Sequence, residues 1–156
     1  MPARAFALCI LLVLPSPAAA ELGLNLYGLA YHFDRDLARE SGLDNEIIAG
    51  VGLRYRAAHS ERLQWVFDLS AYYDSGRNTA FVAGAGALWK VSSGWRLGGA
   101  LAVFQSDTYN RGRAFVAPLP LAAYEFRSVT LNFTYIPKLS EINNVATLAM
   151  WLTWWP

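Results

Sequence analysis

Cysteine is all but missing from this chain: Cys9 is the only one. It sits in the apolar run from Ala5 to Leu14, which follows a weakly basic start at Arg4 and precedes Pro15-Ser16-Pro17 and the small residues Ala18-Ala19-Ala20. That order reads as a secretory leader cut after Ala20, so residues 1–20 are expected to leave and 21–156 to form the mature domain. The run is too short to cross a bilayer as a helix. Loss of Cys9 with the leader excludes disulfides, thiolate metal sites and cysteine nucleophiles from the mature protein. Charge is sparse as well, at 16% of residues, with 13 basic against 12 acidic; removing Arg4 leaves the two signs equal. A balanced chain gives no electrostatic basis for nucleic-acid binding. Although 54% of the chain is apolar, nothing after the leader is long and apolar enough for a transmembrane helix. No nucleotide loop or metal-ligand motif is present, and no cofactor or metal is expected.

What is present is alternation. Read with a period of two, the mature chain divides into eight segments, roughly 22–33, 47–57, 63–74, 79–90, 95–105, 114–125, 129–137 and 144–154. Each is near the length of a tilted membrane strand, about 9–11 residues. Trp65, Phe67, Leu69 and Tyr73 share one face of the third segment, against Gln64, Asp68, Ser70 and Tyr72 on the other. Val51 and Leu53 oppose Gly52, Arg54 and Arg56 in the second; Val129, Leu131 and Phe133 oppose Thr130, Asn132 and Thr134 in the seventh. Large apolar residues on one side and small or polar ones on the other suit a lipid-facing wall around a lumen, and aromatics near segment ends suit interfacial girdles. The fold expected is all-β: an eight-stranded antiparallel up-and-down transmembrane β-barrel of the Gram-negative outer membrane. A soluble sandwich or lipocalin-like barrel is the competing reading, and it would carry its polar face outside. With a periplasmic N-terminus, the connections near 34–46, 76–78, 106–113 and 138–143 are extracellular.

The outer rim then gathers chemistry. His32 ends the first segment, and Asp74 and Ser75 end the third. A base, a carboxylate and a hydroxyl are the residue types of acyl transfer, although polar rim loops are also ordinary in barrels. Gly84 and Gly86 face inward with Ala80 and Val82, beside Gly98, Ala100 and Ala102, which leaves either a slot or close-packed strands. Arg54 and Asp68, on paired strands, are expected to form part of a charged plug lower down. The mixed run Asp34 to Glu46 reads as a solvated loop. Arg111 and Arg113 flank Gly112 in a turn, placed to meet anionic phosphates.

These residues resemble the lipid A palmitoyltransferases (PagP type) of Gram-negative outer membranes. The similarity runs from about Tyr27 to the end and rests on Tyr31-His32, Asp74-Ser75, Ala83-Gly84-Ala85-Gly86, Pro118-Leu119-Pro120-Leu121-Ala122, and Thr134-Tyr135-Ile136-Pro137. It departs from the family in lacking an amphipathic helix before the first strand, in carrying Tyr27 and Ile47 where a second proline gate would stand, and in ending Trp154-Trp155-Pro156. The resemblance implies catalytic His32, Asp74 and Ser75, an acyl pocket floored by Gly86, and Pro120 and Pro137 as breaks that admit a lipid chain. It implies an acyltransferase that moves a palmitoyl chain from a phospholipid donor to lipid A or another lipid acceptor, working as a monomer in the outer membrane. Two alternatives stand beside it: a lipid hydrolase, either phospholipase or lipid A deacylase, on the same barrel, and a non-enzymatic small outer-membrane barrel.

Overall fold

The computed structural model describes residues 20–58, 60–139 and 142–156; all but the last residue of the expected leader, and His59, lie outside the described residues. Eight strands follow one another: β1 (Ala20–His32), β2 (Ile47–Ala58), β3 (Leu63–Tyr73), β4 (Thr79–Lys90), β5 (Trp95–Gln105), β6 (Phe115–Phe126), β7 (Val129–Ile136) and β8 (Thr147–Trp154). Each pairs antiparallel with the next, and β8 returns to β1, so the barrel is closed in the expected up-and-down order. Closure removes the sheet edges that hydrocarbon cannot solvate. Leu22, Val51, Leu53, Phe67, Leu69, Phe81, Leu97, Leu101 and Val116 stand exposed around the outside, with Trp65, Tyr73, Trp89 and Trp95 nearer the strand ends. An apolar wall of this kind, flanked by aromatics, is the surface of an outer-membrane barrel. One end has the short turns 59–62, 91–94 and 127–128; the other has the loops 33–46, 74–78, 106–114 and 137–146. By that asymmetry the second end faces outward.

Two details depart from the expected segments. The first outer loop contains a short helix, α1 (Arg35–Glu40), capped by Asp34, whose carboxylate accepts from the Leu37 amide. It buries Ala38 against Leu43 and Val145, so this loop is packed and not simply solvated. The start of β8 is delayed to Thr147 because Asn143 holds a turn, donating to the Val145 carbonyl at 2.6 Å while its main chain pairs with Leu139.

Inside, the lower barrel is closed by a ring of buried polar groups. Arg54 on β2 donates twice to Asp68 on β3, both at 2.8 Å, as the register Arg54↔Asp68 permits. Arg54 also reaches Asn132 on β7. Asn132 donates to Thr153 on β8 at 2.9 Å, Thr153 to Asn25 on β1 at 2.7 Å, and Asn25 back to Asp68 at 2.8 Å. Above the ring, Tyr27 stacks between Tyr72 and Trp151, at 4.8 and 5.6 Å between centroids. Val66, Leu88, Leu121, Ala123 and Trp151 fill the remaining space.

Breaking this ring on one side leaves a buried charge without its partner, at a cost of about 3–5 kcal/mol. Arg54→Met should therefore lower the urea midpoint of the folded barrel sharply. Arg54→Met with Asp68→Leu should recover most of the loss; equal losses in both variants would show that the pair is not what holds the floor.

Candidate functional site

His32 faces the lumen because of a β-bulge. Strict alternation from the inward Asn25 and Tyr27 would turn His32 toward lipid. The pairings of β1 with both β2 and β8 shift register between Tyr27 and Leu29: Gly28 is an extra residue against β8, while on β2 two residues, Ile48 and Ala49, span the same gap, and the phase of β1 reverses. Leu29 and Tyr31 are exposed, while Ala30 and His32 are buried. The imidazole Nε2 then lies 3.0 Å from the Ser75 hydroxyl. The two residues are 43 apart in sequence, and the barrel brings them together at the outer rim, as expected.

Asp74 is arranged differently. Its carboxylate accepts from the amides of Gly76 at 2.9 Å and Asn78 at 3.0 Å, from the Thr108 hydroxyl at 2.8 Å, and from the Ser106 hydroxyl in a short contact. It thus knots the 74–78 loop to the 106–114 loop. The carboxylate beside the His32 ring is that of Glu46, 3.7 Å from Nδ1, and Glu46 also accepts from the His32 amide at 3.3 Å. Ser106 and Thr108 were not singled out from the sequence, and Glu46 was read only as part of the solvated run Asp34 to Glu46. Their roles depend on loop paths, and only the position of Glu46 at the threshold of β2 hinted at one.

Ion pairs lock the outer loops. Arg35 grips Glu46 with two bonds at 3.1 and 3.0 Å, and Arg77 grips Asp44 at 2.7 and 3.2 Å. The Arg77 guanidinium holds the Asp44 carboxyl below its ordinary value. Burial works to raise Glu46, but bonds from the His32 amide and Arg35 outweigh it and leave Glu46 lowered as well. Burial, with the Asp74 charge adding to it, pushes the Tyr109 phenol up to about 12.

Beneath the rim lies an apolar cavity of about 180 Å³, lined by Ile48, Tyr72, Phe104, Tyr109, Leu119 and Ile136 among others. A second, of about 60 Å³, continues below it and shares Ile48, Tyr72, Phe104, Leu119, Ile136 and Ala149. Gly84 lines the lower one. Gly86 lines neither; it flanks a shallow groove on the outer wall with Trp65, Gly99 and Pro120. A Cβ at Gly86 would meet the Gly99 carbonyl at 2.7 Å and the Ala100 Cβ at 2.8 Å, so this glycine lets β4 and β5 approach closely. The β6–β7 ladder ends at Leu121↔Thr134. Above it the two strands part, joined by the Thr134 hydroxyl donating to the Pro120 carbonyl at 2.9 Å. Pro118 and Pro137 line the upper cavity at this seam. Arg111 and Arg113 are exposed on the third outer loop, with Arg111 in the left-handed region at φ 56°.

No family model matches the chain, and no curated protein matches it. Among solved structures, it is similar to Ail, the attachment invasion locus protein of Yersinia pestis, at 13% identity and TM-score 0.41, over 88% of this chain and 96% of that one. Ail in complex with the heparin analogue sucrose octasulfate gives 14%, 0.41 and the same coverage. Neisserial surface protein A gives 16% and 0.38, over 86% and 95%.

These findings correct the expected membership of the lipid A palmitoyltransferase family. The barrels matched are Ail and NspA, and no family model supports the resemblance. The acyltransferase activity, the palmitoyl transfer to lipid A, and the phospholipid donor and lipid acceptor fall with it. The geometry supplies a physical reason. Asp74 is spent on loop donors, and the interior at the level of Gly86 is filled by Val66, Leu88 and Leu121 instead of forming a slot down to that glycine. No cluster of three or more metal-ligating side chains occurs among the described residues.

The lowered Asp44 and Glu46 carboxyls stabilise the loop platform wherever both are ionised. That contribution is full at neutral pH and is lost as the pH falls through the ordinary carboxylate range to the lowered values. Protease cleavage of the 33–46 loop on intact cells should accordingly rise on acidification, using an acid-active protease. Arg77→Ala should show the raised rate already at neutral pH; an acid-insensitive rate in the unaltered protein would contradict the assignment.

Proposed function

We propose that this chain is a non-enzymatic barrel of the cell surface that holds a rigid loop platform above the outer leaflet for contact with an anionic partner. The commitment of Asp74 carries this reading: four donors from two loops occupy the carboxylate that a catalytic arrangement would need beside the histidine. His32 and Ser75 are then positioning residues, tying the end of β1 to the second outer loop. Gly84 and Gly86 serve strand packing, while Pro120 and Pro137 bound the seam. Arg35, Arg39 and Arg77 are each matched by a carboxylate. Arg111 and Arg113, like Lys138 on the fourth outer loop, make no ion pair among the described residues, so they are among the charges that an anionic surface meets first.

Mass spectra of lipid A and phospholipids should be the same in cells with and without the protein. An acyl chain gained or lost in a manner that requires His32 and Ser75 overturns the reading. Binding of intact cells to dextran-sulfate beads should fall several-fold in the Arg111→Glu, Arg113→Glu double variant, and it should weaken with salt in the unaltered protein. Unchanged binding would remove the anionic partner.

A further inference from the structure

We propose that the cavity under the outer rim is a binding site for a small aromatic acid, with its ring in the cavity and its carboxylate or sulfonate at the mouth between Arg113 and Lys138. This goes beyond the platform reading: it shares these two cations with that reading but rests on the cavity. The void of about 180 Å³ compares with an apolar one of roughly 150 Å³ that takes up benzene. Tyr72, Phe104, Tyr109 and Phe115 give it aromatic walls, against which a flat ring packs by stacking or edge to face. The mouth lies where β6 and β7 part. Ala117 and Pro118 line the cavity from one side of the seam, and Pro137 and Leu139 from the other. The ladder joining the two strands begins only at Leu121↔Thr134. Pro118 and Leu139 are exposed as well as lining the cavity, so the void reaches the surface. Since β6 starts at Phe115 and β7 ends at Ile136, the mouth stands at the upper limit of the wall, where hydrocarbon gives way to water. A guest seated there keeps its ring out of water and its charge in it. The sign of that charge follows from the chain around the mouth. Arg113 comes just before Ala114 and Phe115, and Lys138 lies between Pro137 and Leu139. Both are exposed, and neither makes an ion pair among the described residues. The Asp107 carboxylate is turned against Gly112 of its own loop. Long flexible stems let both cations bring their charge to an anion at the mouth.

The test uses the full barrel in phosphatidylcholine nanodiscs, with naphthoate as the probe and naphthylmethylamine as its cationic counterpart; empty nanodiscs correct for partitioning. Naphthoate should bind saturably, more tightly than the amine, and more weakly as salt rises. Arg113→Gln with Lys138→Gln should weaken naphthoate about fivefold, as the loss of two exposed charge contacts does. Ala117→Leu adds bulk at a half-buried position lining the cavity. It should abolish naphthoate binding and leave capture by dextran-sulfate beads unchanged, since that polymer has no ring to seat. Bead capture that fails while naphthoate binds as described removes the platform's anionic partner and leaves the cavity assignment standing. Heat-modified gel migration checks that each variant is folded. Naphthoate uptake no greater than in empty nanodiscs, binding retained in Ala117→Leu, or equal affinity in the unaltered protein and the double variant overturns the proposal.

Discussion

The Asp68–Arg54–Asn132–Thr153–Asn25 ring is the constraint on which the rest of the molecule leans. A membrane barrel has water at both ends and hydrocarbon around it, so its interior polar groups must satisfy one another. Here five strands contribute one member each, including both strands of the closing β1–β8 pair. The ring fixes register across that closure, where no hairpin turn does so. With the floor set, the Tyr27–Tyr72–Trp151 stack sits directly above it, and the space left over becomes the cavities under the rim.

The outer end is organised by a different economy. Loops 33–46, 74–78 and 106–114 have little apolar surface to bury, so they are fixed by directional contacts. Asp74 accepts four bonds, Asn45 reaches the Asp74 carbonyl at 2.9 Å, Arg77 clasps Asp44 of the first loop, and Arg35 clasps Glu46 within that loop. Such ties contribute little singly at an exposed surface. Their value lies in joining loops that would otherwise move independently, and the small apolar cluster of Ala38, Leu43 and Val145 anchors the set to the fourth loop.

The eight strands were legible because lipid outside and a packed lumen inside impose period two without ambiguity: Leu53 and Leu69 had to face out once Arg54 and Asp68 faced in. The Arg54–Asp68 pair was legible for the same reason, since neighbouring strands joined by a short turn fix their own register. The helix at Arg35–Glu40 was hidden because its apolar positions, Leu37 and Ala38, are few among charges, and Asp34 reads equally well as a loop residue. The inserted Gly28 was illegible because a glycine in a strand has several meanings. The meeting of His32 with Ser75 follows from strand ends sharing a rim, whereas the partners of Asp74 follow from loop paths that no periodicity encodes. The family resemblance matched residue types at a spacing, but it could not see where Asp74 would point.

The parting of β6 from β7 has a consequence for how the wall tolerates being incomplete. Upper β6 is an exposed flank inside a bilayer, where a stranded amide would be expensive. The β5–β6 pairing continues past both Pro118 and Pro120, so the amides these residues lack are those that would have pointed across the gap. The flank therefore offers carbonyls but few donors, and a foreign strand arriving there finds a ladder with missing rungs. An opening can persist in the barrel without becoming a seed for runaway strand addition.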